Sequence, residues 1–221
     1  MRWSQRAWAS DAGLTALTGL AFAILFVLGP LTDRFPVMIW VLVCVDVMLL
    51  VALVSAVIAI TQRVWAGMLG AGLGVVILGI HFASRIDPRL ILLNRILGII
   101  PGLLLLLIVM ALSLRAGPIT YHRIAGAVLT YLLIALLWAR FYALLIYIVP
   151  GSIGQPGGGG APPGVDDLMY FSVMTLTTAG YGDLVPLHSA TRALASLEAI
   201  VGVLFPVVYI SRFVAAAGER R

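Results

Sequence analysis

Toward its C-terminal end the chain reads Thr178-Ala179-Gly180-Tyr181-Gly182-Asp183. Its two glycines give this backbone access to conformations closed to other residues. A row of successive carbonyls pointing one way needs that freedom. Four copies around an axis would stack rings of peptide oxygens, and such rings can replace the water shell of a dehydrated cation. Chemistry carried by peptide oxygens needs no nucleophile and no acid–base pair. His81, His122 and His188 stand singly near the ends of apolar runs, and no H-E-x-x-H, G-x-S-x-G or C-x-x-C string occurs. A membrane-embedded enzyme would need such groups clustered, so the chain is read as a non-enzyme without a bound cofactor.

A segment of this kind must be held in place by other elements. Of 221 residues, 62% are apolar and only 10% are charged, and the mean hydropathy is +1.11. A soluble chain of this length carries more charge. Six apolar runs are each long enough to cross a bilayer, which takes about 20 residues. Their approximate limits are 13–30, 37–61, 65–83, 90–114, 120–149 and 190–216. Polar breaks separate the first five, and Pro30, Pro36, Pro88, Pro118 and Pro150 mark helix ends, since proline cannot continue a preceding helix. The first run follows Arg2 and Arg6 but ends in Gly29-Pro30 rather than a small-x-small cleavage site, so it is read as a retained helix. Cys44 lies alone inside an apolar run and reads as a small buried hydrophobe.

The net charge is +5 and every basic residue is arginine. The arginines sit at the ends of runs, where they anchor helices at the interface. There is no basic patch interleaved with aromatics, so nucleic acid is not an expected partner. Arg2, Arg6, Arg63, Arg115, Arg123, Arg212, Arg220 and Arg221 fall on one side of a six-span topology, and Arg34, Arg85, Arg89 and Arg192 on the other. That bias places both termini in the cytoplasm of a multi-pass protein of the cell membrane.

Residues 150–164 contain Gly157 to Gly160 and lack an apolar period, which reads as a flexible external loop. Residues 165–177 are too few to span, and Asp166 or Asp167 can cap a short helix there. At membrane depth, irregular backbone such as 178–182 is tolerated only when buried in protein or lining a watery cavity.

At this point the sequence resembles the potassium-channel family, whose filter reads T-x-G-Y-G-D. The resemblance runs over roughly residues 120–216. It includes the threonine-rich Thr175-Leu176-Thr177-Thr178, Pro186, Arg192, and Gly202 where the family places a hinge glycine. It implies an all-α membrane protein of six transmembrane helices with a re-entrant pore helix and filter, assembled as a tetrameric cation channel. Residues 1–119 would form a four-helix voltage-sensor-like domain. Residues 120–221 would form the pore domain: outer helix 120–149, turret 150–164, pore helix 165–177, filter 178–182 and inner helix 190–216. The implied function is passive, potassium-selective conduction. The partners are potassium ions, membrane lipids and three further copies; the sequence does not specify a regulatory partner.

The same resemblance assigns roles. The carbonyls of Thr178, Ala179, Gly180 and Tyr181, with the Thr178 hydroxyl, would bind potassium. Gly182 would lie at the outer mouth, Thr177 would support the filter from the end of the pore helix, and Asp183 would hold it from behind through a hydrogen bond. Tyr181 would brace the filter against the pore helix. Two positions depart from the family: Ala179 stands where valine is usual, and Met174 leaves Asp183 without an acidic partner. Tyr170 either donates a phenolic hydrogen bond there instead or is an interfacial aromatic. Gly202 and Pro206 form either a gate hinge or a static kink.

Three ionisable residues lie deep in the runs: Asp46, Arg140 and Glu198. Charges at that depth are costly and usually paired. Arg140 and Glu198 sit at similar depth, roughly 12–14 Å below the outer ends of their helices at 1.5 Å per residue, and are expected to pair. Asp46 competes for Arg140 or takes Arg95. The fourth run carries only Arg89 and Arg95 before Arg115, too few for a strong voltage sensor. Gly98, Pro101 and Gly102 suggest a kink in it.

Overall fold

The computed structural model describes Thr15, Thr18, Gly19 and residues 64–84, 86–115, 120–158 and 160–218. The first two apolar runs, with Asp46, lie largely outside the described residues. Among these the elements are α1 (Val64–Ala83), α2 (Ile91–Ser113), α3 (Tyr121–Ile148), β1 (Ile153–Gly154), α4 (Val165–Leu176), β2 (Val185–Pro186) and α5 (Ser189–Gly218). Three helical stretches among the described residues are long and apolar enough to cross a membrane: Pro88–Ser113, Tyr121–Ile148 and Ser189–Ala215. At 1.5 Å per residue the 12 residues of α4 reach about 18 Å, short of a bilayer core of about 30 Å.

The chain divides into two compact units, Met1–Leu133 and Ile134–Arg221, and the division falls inside α3. In the first unit α1 packs against α2. A short 3₁₀ turn, Pro88–Leu90, leads into α2; Asp87 accepts a hydrogen bond from the Arg89 N–H at 2.9 Å, and Pro88 follows the cap, where its missing N–H costs nothing. The helix continues through Pro101, and Ile99, Pro101, Gly102, Leu105, Val109 and Ser113 are its buried residues. The Ser113 hydroxyl donates back to the Val109 carbonyl at 2.9 Å, which satisfies a polar group within its own helix. Thr15 and Thr18 reach α3 through His122 Nδ1 at 2.6 Å and the Ala125 carbonyl at 3.0 Å.

In the second unit the core is Tyr142 of α3, Ile153 of β1, Leu168 and Phe171 of α4 and Ala195 of α5, with Trp138, Ile146, Leu184 and Leu194 packed around it. The rings of Tyr142 and Phe171 meet edge to face, 5.0 Å between centroids, a geometry aromatic pairs favour. Phe171→Ala removes that contact and opens a cavity; a loss of about 3 kcal/mol is expected, read as a lowered unfolding temperature of the purified protein.

The turret is not the featureless loop its composition suggests. Ile153 is buried in the core, and β1 pairs antiparallel with β2, Ile153 opposite Pro186 and Gly154 opposite Val185. The Ser152 carbonyl also accepts from Leu187 N–H at 2.9 Å. Two residues carry no readable period, so this pairing leaves no trace in the hydrophobic pattern. Beyond β1, residues 155–158 are exposed, and Gly157 and Gly158 have φ of +92° and +73°.

α4 starts at Gly164, whose N–H donates to the Asp167 carboxylate at 2.8 Å, half of a capping box. Leu168, Phe171, Ser172 and Leu176 form its buried stripe. Its last turn lies against α5 at Gly202. A Cβ added there would stand 1.8 Å from the Leu176 carbonyl oxygen and 2.7 Å from its carbon. Gly202 therefore has a role beyond hinge or kink: it lets two backbones touch.

Candidate functional site

Thr177 ends α4, and its hydroxyl donates to the Val173 carbonyl at 2.7 Å. The next N–H groups turn back onto the same helix end: Thr178 N–H donates to Thr175 O at 3.0 Å and Gly180 N–H to Met174 O at 3.2 Å. Met174 thus contributes its backbone carbonyl rather than its side chain. Thr178, Gly180 and Gly182 have φ of +58°, +50° and +80°. Positive φ at every second residue is the alternation that turns successive N–H groups to one side and carbonyls to the other. Thr178 is the one non-glycine with positive φ among the described residues, and a residue with a Cβ in that region costs about 1–2 kcal/mol.

Residues 177–183 are all exposed in the single chain. Tyr181 is 76% exposed, so it does not brace the segment against its own α4. Tyr170 donates a hydrogen bond to the Asp183 carboxylate, and the structure brings these two together. Beyond Asp183 the return strand is held twice: by β1, and by Arg192, whose Nε donates to the Pro186 carbonyl at 3.1 Å. The first turn of α5 is capped by His188, whose Nδ1 accepts from Ala190 N–H at 3.2 Å.

The expected Arg140–Glu198 pair is not what forms. Glu198 is fully buried; its Oε2 accepts from the Tyr142 hydroxyl at 2.5 Å and its Oε1 lies 2.5 Å from Ser172 Oγ. The reason is angular. Depth along a helix follows from 1.5 Å per residue, but each residue also turns 100°. Tyr142 faces α4 and α5, so Arg140, two positions earlier, points to a different face of α3. Asp46 lies outside the described residues. Tyr142 and Ser172 went unnoticed in the sequence, although one signal was present. Ser172 is the polar member of α4's buried stripe, and a buried hydroxyl requires a partner.

With the geometry in view, the comparison with protein families falls on the same part of the chain. Residues 130–219 match the family described as "Ion channel". Two-pore potassium channel 1 of Arabidopsis thaliana is 38% identical over 76 residues, 34% of this chain and 20% of the relative. Two pore potassium channel a of Oryza sativa subsp. japonica is 35% identical over 91 residues, 41% of this chain and 23% of the relative. Protein LctB of Bacillus caldotenax is 42% identical over 50 residues, 23% of this chain and 37% of the relative. The chain spans about a fifth of the plant relatives' length. No solved structure matches. Over residues 130–219 the chain is similar to this ion-channel family. The plant relatives are named potassium channels.

Proposed function

We propose that this chain is one subunit of a potassium-selective channel, in which Thr178–Gly182 of four copies surround a common axis. The carrying observation is the alternation of positive φ at Thr178, Gly180 and Gly182 in a segment exposed in the single chain. A strand that satisfies so little of itself is completed by others like it, since one strand cannot encircle an ion. In such an assembly the carbonyls of Thr178, Ala179, Gly180 and Tyr181 take the place of potassium's water. The C-terminal end of α4, partly negative, favours a cation in the cavity below. The exposed Tyr181 ring then finds its support on a neighbouring subunit. The reading includes six spans per subunit, a voltage-sensor-like first domain without strong voltage dependence, and cytoplasmic termini in the cell membrane.

Purified protein in liposomes tests it. A potassium gradient should drive flux that barium blocks, and reversal potentials in mixed sodium and potassium should follow potassium. Equal permeability to the two ions, or no flux from folded protein, would overturn the proposal. Within the same assay Tyr170→Phe, which leaves Asp183 without its phenolic donor, is expected to shorten the time over which flux is sustained while flux at the outset stays close to wild type. An unaltered time course would show that the Tyr170–Asp183 bond does not hold the filter.

A further inference from the structure

The cluster of Tyr142, Ser172 and Glu198 joins α3, α4 and α5, and the conduction proposal makes no use of it. All three side chains are fully buried. Its hydrogens can be counted. Tyr142 has one hydroxyl hydrogen, which it donates to Glu198 Oε2 at 2.5 Å. Ser172 also has one, yet its Oγ lies 2.8 Å from the Ala135 carbonyl oxygen and 2.5 Å from Glu198 Oε1. A backbone carbonyl can only accept, and a carboxylate can only accept. One serine hydrogen cannot lie on both lines, so with an ionised Glu198 one of these close oxygen pairs would have nothing between them. Such a contact would be repulsive in a place where an unsatisfied polar group is costly.

We infer that Glu198 is an un-ionised carboxylic acid that donates from Oε1 to Ser172 Oγ, and that it positions the pore helix α4 against the inner helix α5. The full relay then reads Tyr142 O–H to Glu198 Oε2, Glu198 Oε1–H to Ser172 Oγ, and Ser172 O–H to Ala135 O. Every hydrogen is used once and every oxygen pair has one. A neutral acid also explains why a glutamate at this depth is held by two hydroxyls instead of an arginine, since un-ionised it needs no counter-charge.

Among the described residues, those packed around Glu198 offer little other charge. α3 presents Tyr142 and α4 presents Ser172. On α5 the positions one turn away are Leu194, Ala195, Val201 and Gly202. Tyr170, two residues from Ser172, is engaged with Asp183, and Arg192 with Pro186.

The proton can be observed without any assay of conduction, so its failure is separable from that of the channel reading. Infrared spectra of the purified protein at neutral pH should contain the carbonyl band of an un-ionised carboxylic acid, absent from Glu198→Gln and lost from wild type on alkaline titration. Glutamine keeps one acceptor oxygen and supplies N–H to Ser172, so Glu198→Gln should fold and assemble like wild type, with its unfolding temperature close to that of wild type. Glu198→Ala should fail both tests. A wild-type spectrum without that band overturns the inference; so does a Glu198→Gln protein as poorly assembled as Glu198→Ala.

Discussion

Gly202→Ala is expected to abolish folding of the second unit, Ile134–Arg221. The added methyl would sit 1.8 Å from the Leu176 carbonyl oxygen and 3.1 Å from its Cα. Both obstacles are backbone, at the C-terminal turn of a helix that is itself packed on α3 and α5, so neither can rotate away as a side chain would. Overpacking of a core typically costs about 1–3 kcal/mol, and a clash between two main chains exceeds that range. The measurement is the yield of assembled protein and its unfolding temperature in detergent. A Gly202→Ala protein of wild-type stability, altered only in how often it opens, would restore a pure hinge role and refute the contact.

Gly180→Ala should behave in the opposite manner. No atom lies within 4 Å of a Cβ built on Gly180, so nothing in the subunit is displaced and the protein should fold and assemble. The cost lies in the backbone. At φ of +50° a residue with a Cβ pays about 1–2 kcal/mol, which the segment can relieve by turning a carbonyl out of line. In the proposed four-fold assembly, one carbonyl lost from each subunit would remove a whole ring of oxygens. An energy of about 1.4 kcal/mol at an ion site corresponds to a tenfold change, so the preference for potassium over sodium should fall by about tenfold or more, measured from reversal potentials. An unchanged preference would show that the Gly180 conformation does not set selectivity. The two glycines are indispensable for different reasons, one for what stands beside it and the other for how its own chain is turned.

Helix ends were close to readable from the sequence. The outer-helix run 120–149 became Tyr121–Ile148, the pore helix 165–177 became Val165–Leu176, and the inner run 190–216 became Ser189–Gly218. Apolar length and proline punctuation carry that information directly. The positive φ at Gly180 and Gly182 was foreshadowed by the two glycines themselves. What stayed hidden depends on facing rather than length. Arg140 and Glu198 share a depth, but only the direction in which Tyr142 projects decides who meets the carboxyl. β1 and β2 are two residues each, separated by more than thirty positions, and only the return of the chain after Asp183 brings them side by side. Gly202 looked like a flexible joint because a glycine in a helix is ambiguous until the neighbour pressed against it is known.

The exposed glycine stretch after β1 has a practical consequence. Gly157 and Gly158 have open space where a Cβ would point and already adopt turn conformations, and insertions succeed at such sites. An epitope spliced between them would be displayed clear of the paired strands. Antibody binding to intact cells would then report which face of the membrane residues 150–164 occupy.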